Sequence, residues 1–199
     1  MRRKFATCKR KALALVFSLQ PSRTARQVSL LLAAAVAAAS LTAKPAFPQE
    51  IAACDQFFWP VKREQALFAS KDLKHAASGA TLEFSPDHGA GAALELQPND
   101  AVPFVVAPGR PPKTENSFGG VIVITNIPKA QAYQVTASGE GWIDVIQDGK
   151  AIASTGHSGR RDCPDVHKSV RFDLQPGAAT IQVSGSPAKS INLAIMPAE

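Results

Sequence analysis

The sequence predicts an all-β fold, a β-sandwich of jelly-roll-like pattern with one short N-terminal helix. Three observations predict it. From about residue 80 onward, short apolar or alternating runs are separated by turn residues at close spacing. The helical pattern is confined to one segment after Pro60. Two cysteines far apart in the chain, Cys54 and Cys163, suit a covalent staple across such a fold.

The chain has 199 residues, enough for one ordinary domain. Residues 1–43 read as an export leader. They hold eight of the 22 Lys/Arg residues and no acid, ahead of the apolar stretch VSLLLAAAVAAASLTA from Val28 to Ala43. At about 14–16 residues the stretch suits a signal-peptide core and falls short of the ~20 needed to span a bilayer. Leu41-Thr42-Ala43 offers an approximate cleavage site. A retained anchor and a start codon further downstream are the competing readings. Residues 44–53 form a linker, and 54–199 the single domain.

Ile51 to Cys54, IAAC, fits the local pattern of a lipoprotein cleavage site. Such a site follows the apolar run directly, whereas KPAFPQE intervenes here, which argues against lipidation of Cys54. From Lys44 onward 14 basic residues face 16 acidic ones, so the net charge of +6 belongs to the leader. This removes nucleic acid as an expected partner. The expected location is periplasmic or secreted, with no membrane span in the mature form.

Cys8 lies in the leader, which leaves Cys54 and Cys163 as an even pair in an exported chain. A bond between them closes a loop of about 110 residues, worth about 4–5 kcal/mol in the chain-entropy account.

Along the domain, Pro60 is suited to the first turn of a helix over about 61–69, with Val61, Gln65, Leu67 and Phe68 on one face. Phe57, Phe58 and Trp59 before it are expected to pack into the core. Strands are expected over 80–84, 92–97, 102–107, 118–127, 132–138, 142–147, 150–155, 168–174, 179–184 and 191–196. Asp148-Gly149 between two of these runs is a type I′ hairpin signature. Pro176-Gly177 fits a type II turn. The segment PGRPPKTEN (108–116) has three prolines and is expected to be a stiff exposed loop; such loops often carry binding function, but a plain long connection is the leading reading.

The densest chemistry lies in STGHSGRRDCPDVHKSVRF, Ser154 to Phe172. His157 and His167 flank Cys163 and are weak candidates for a metal, with Asp162 and Asp165 as added oxygen ligands. No two of the four histidines stand at H-x-H or H-x-x-x-H spacing. No G-x-S-x-G elbow is present, and the closeness of Ser154, His157 and Ser158 in sequence does not make a triad. Asp144 and Asp162 are the acids a glycosidase-type pair would use. Lys168 and Arg171 have opposite parity and face opposite ways on a regular strand. The candidate ligand-binding residues are Trp142, His157, Arg160, Arg161 and Asp162. With Asp162, Asp165 and Asp173 interleaved among Arg160, Arg161, Lys168 and Arg171, local ion pairs are the leading reading, and an anion or acidic-sugar contact at the two arginines is the alternative.

Three blocks, CDQFFWPVKREQALFA (54–69), WIDVIQDGKAIASTGHSGRRDCP (142–164) and KSVRFDLQPGAATIQVSG (168–185), resemble a family of small exported proteins of Gram-negative bacteria. The resemblance covers most of residues 54–199 and implies a compartment and a fold more than a function. Some members carry the label homogentisate 1,2-dioxygenase. Enzymes of that kind hold iron with two histidines and a carboxylate, and the H-x-H element of the cupin pattern is missing here.

The expectation is therefore a non-catalytic binding or envelope-associated module without a cofactor. Its partner would be a glycan, an anionic small molecule or an envelope protein. The alternative is a small metal-dependent enzyme, such as the dioxygenase that some relatives are labelled as.

Overall fold

The computed structural model describes residues 53–199; the expected leader, Cys8 and all of the linker but Ala53 lie outside the described residues. The one α-helix that lies wholly within the described residues, Lys62–Phe68 (α1), follows Pro60 and Val61, so the proline sits just ahead of the helix rather than in its first turn. Twelve strands follow. They are β1 (His75–Ala77), β2 (Thr81–Glu83), β3 (Ala90–Glu95), β4 (Gln97–Pro98), β5 (Phe118–Ile127), β6 (Gln131–Ala137), β7 (Trp142–Gln147), β8 (Lys150–Ile152), β9 (Ser154–Gly159), β10 (Lys168–Leu174), β11 (Gly177–Ser186) and β12 (Ser190–Pro197).

The strands form two packed sheets. One runs β1-β3-β12-β6-β10-β9; the other runs β2-β5-β11-β7-β8, with β4 added to β5. Both are mixed, because β1 lies parallel to β3 and β2 parallel to β5. The predicted β-sandwich with one short helix is the fold observed. Among the described residues, no helix is long and apolar enough to cross a membrane.

Alternation dictates the core. Val135, Phe172, Leu193 and Ile195 of the first sheet meet Ile122, Val145, Ile181 and Val183 of the second. Phe84 and Tyr133 add an edge-to-face pair at 5.6 Å, and the Tyr133 hydroxyl donates to the Lys129 carbonyl. A second, smaller core lies on the outer face of the first sheet. There Phe57, Val61 and Phe68 cover Ala194 and Met196. The disulfide Cys54–Cys163, with Cα atoms 4.8 Å apart, belongs to this layer. It ties the N-terminal segment to the β9–β10 loop.

Three expectations change. Residues 102–107 are not a strand. Their backbone is held by a side chain instead: buried Gln182 on β11 accepts from the Val105 and Val106 amides and donates to the Val106 carbonyl. The run expected over 150–155 splits at Ala153, where the chain leaves one sheet for the other. Phe58 is not in the core; it is 82% exposed, while Phe57 beside it is buried. The predicted turn holds, with φ of 49° at Asp148 and 73° at Gly149.

Candidate functional site

At one end of the sandwich, where β7 and β10 begin, the two sheets and the proline-rich loop enclose a groove of about 620 Å³. Trp142 opens β7 and Lys168 opens β10. Lys168 shares the parity of Val170 and Phe172, so its side chain continues the inter-sheet face to the mouth of the groove. Its ammonium donates to the Gly141 carbonyl at 3.1 Å and lies 5.0 Å from the Trp142 ring centre.

The Arg110 guanidinium approaches the same ring at 5.5 Å. An indole attracts a cation through its negative face, so one ring holds two like charges close together. Burial pushes the Lys168 amine below the ordinary lysine range, and Arg110 pushes it further, partly countered by Asp144.

Asp144 is occupied. It accepts from Trp142 Nε1 at 2.8 Å and from the Gly109 amide at 3.0 Å. This bond pins the proline-rich loop to β7. A Cβ at Gly109 would stand 2.8 Å from the Asp144 carboxylate, so a larger residue there would push that carboxylate aside. The loop itself is exposed, as expected, and brings Arg110 and Lys113 to the groove.

The opposite wall comes from β9 and the β9–β10 loop, with His157, Arg160, Arg161 and His167. Its charges are already paired. Arg160 forks onto Asp162 at 3.0 and 2.8 Å, and Arg161 reaches Glu140 at 3.8 Å. The Arg160 guanidinium holds the Asp162 carboxyl below the usual carboxylate range. His167 is fixed by its backbone, which donates to Ala137 and accepts from Arg160; burial lowers its pKa.

The structure thus brings Trp142, His157, Arg160, Arg161 and His167 into one groove, while Asp162 turns to Arg160 and does not line it. The two histidines share the groove, yet among the described residues no three His, Cys, Asp or Glu side chains gather to hold a metal. Ser158 is buried, its hydroxyl accepting the Phe58 amide at 3.1 Å, and Ser154 is exposed. Arg110, Lys113, Lys168 and Phe58 were not singled out as site residues from the sequence. Phe58 had a signal: in an extended approach to Pro60 it takes the parity opposite to Phe57 and Trp59.

No protein-family model matches this chain, and neither does any curated protein or solved structure.

Proposed function

We propose that this chain is an exported, periplasmic or secreted β-sandwich module that binds an anionic ligand in the Trp142 groove without catalysing a reaction. One observation carries the reading. Among the described residues Arg110 and Lys168 form no salt bridge yet are held over a single indole, and Asp144, which accepts from Trp142 and Gly109, only partly offsets their charge. Like charges concentrated in a partly desolvated groove are relieved by an anion. The basic, acid-free leader and the disulfide support export. The resemblance to small exported proteins points the same way.

The test is titration of the purified protein with galacturonate, sulfate and neutral glucose, read by tryptophan fluorescence and calorimetry. The anions bind, and the neutral sugar does not. Affinity falls with added salt, and Lys168→Met lowers it at least tenfold. Equal response to glucose, or no response to either anion, removes the reading.

The competing reading, a small metal-dependent enzyme such as a homogentisate-type dioxygenase, draws on His157 and His167 facing one groove. It predicts tightly held iron or zinc by elemental analysis and a melting temperature that drops on adding chelator.

A further inference from the structure

The charge in the groove is not evenly spread, and this asymmetry bears on what fills it. Arg160 and Arg161 on the β9–β10 wall are paired with Asp162 and Glu140. Among the described residues, Arg110, Lys113 and Lys168 form no salt bridge, and all three lie at the Trp142 end. Along β9 itself the lining is His157 and Ser158, joined by Gln56 and Phe58 of the N-terminal segment, which carry no carboxylate, lysine or arginine.

Phe58 is the unusual member. A phenyl ring left 82% exposed on the lining of the groove offers an apolar face that a ligand can cover. It is also held in place. The Phe58 amide is fixed to Ser158, Cys54 is bridged to Cys163, and Trp59 donates to Ser169 at 2.9 Å. The ring itself packs edge to face against Trp59 at 6.5 Å, and a ring on a pinned segment lowers the cost of binding a ligand there. Beside it stand an exposed amide and an exposed imidazole that can exchange hydrogen bonds with hydroxyl groups.

We propose that the ligand is an acidic oligosaccharide. Its carboxylate or sulfate sits among Lys168, Arg110 and Lys113, and a following sugar unit lays its C–H face on Phe58 with its hydroxyls toward Gln56 and His157. This deepens the anion-binding reading and rests on it. The groove volume of about 620 Å³ is within the ordinary span of ligand sites and exceeds what one small anion fills.

The experiment compares galacturonic acid, trigalacturonic acid and neutral maltotriose by calorimetry, on the wild-type protein and on Phe58→Ala, Lys168→Met and, as a control outside the groove, Lys150→Ala. The wild type and Lys150→Ala bind the acidic trimer about tenfold more tightly than the monomer, the gain expected of one added aromatic contact. Phe58→Ala collapses that ratio toward one. Lys168→Met loses both acids.

A trimer bound no better than the monomer, with Phe58→Ala unchanged from wild type, overturns the oligosaccharide inference and leaves the anion site standing. Absence of binding by either acid, or maltotriose binding as tightly as the acidic trimer, removes the anion reading itself. Circular dichroism of each variant checks that the sandwich is retained.

Discussion

Lys168 and Arg171 stand three residues apart on β10, and each comes to rest over a tryptophan on a different face of the same strand. Arg171 lies 4.3 Å from the Trp59 ring centre, on the outer face of its sheet. There most polar groups are matched, although Arg171 Nε and one Glu64 carboxyl oxygen have no partner. Trp59 Nε1 donates to Ser169, Thr136 donates to the same hydroxyl, and Arg171 reaches the Gln134 side chain and the Glu199 carbonyl. Lys168 lies over Trp142, facing the groove, with a second cation on the same ring. Two similar pairs thus differ in what surrounds them. All four side chains are half-buried, so the pairs differ in charge and not in exposure: Arg171 meets oxygen acceptors and is part of the packing, whereas Lys168 stands beside unpaired cations and is equipped to receive an anion.

The disulfide connects the two regions, because Cys54 lies in the covering layer and Cys163 in the loop that carries Arg160 and Arg161. Breaking it gives the largest expected effect. Cys54→Ser with Cys163→Ser lowers unfolding stability by about 4 kcal/mol, a fall in melting temperature on the order of 10 °C. Denaturant titration of the oxidised protein and the double variant measures it. If the covering layer and the groove wall depend on the same staple, ligand affinity falls in the double variant too. Unchanged stability would mean that packing of Phe57, Val61 and Phe68 alone holds the layer.

The tryptophans separate the regions directly. Trp59→Ala opens the covering layer and removes one of the two donors to the Ser169 hydroxyl, costing about 3 kcal/mol. Trp142→Ala, at the rim of the sandwich, costs about 1 kcal/mol or less yet removes the ring that holds Arg110 and Lys168, so anion affinity falls at least tenfold. Paired melting and binding measurements decide. Equal stability losses for the two variants would erase the distinction between a packed and a receiving pair.

The parts of this picture that local chemistry determines were legible in the sequence. Opposite parity put Lys168 and Arg171 on opposite faces, and the Asp148-Gly149 pair marked its turn. The Cys54–Cys163 pairing followed from the even count left once Cys8 is assigned to the expected leader. What failed depended on distant partners. Residues 102–107 have the composition of a strand, but the Gln182 amide takes their hydrogen bonds from 76 and 77 positions away. Arg110 and Lys113 join the groove only because Asp144 captures Gly109, 35 positions along the chain. Nothing local to residues 108–116 announces that. The groove was therefore half visible: its β9–β10 wall was read from residues 154–172, and its cationic loop was recognised only as a loop.

The smallest effect probes whether the covered region is fully matched. Glu64 on α1 is buried; one carboxyl oxygen accepts from Gln134 at 2.7 Å and the other has no partner. Burial raises its pKa above the ordinary 4.5, only partly offset by the Gln134 bond and by Arg63. The sign follows from proton counting. Between the unfolded and the raised folded pKa, the folded state holds more protons, so stability falls as pH rises through that window and levels off above it. Glu64→Gln removes this slope and gains about 1 kcal/mol at pH 8, with little change below pH 4. Denaturant midpoints from pH 4 to 8 on both proteins test it, and an undiminished slope in the variant would assign the titration elsewhere. A vanished slope would show that spare polar capacity in the covered region weakens the fold. The spare cations of the groove, by contrast, lie where an anion from solution can reach them.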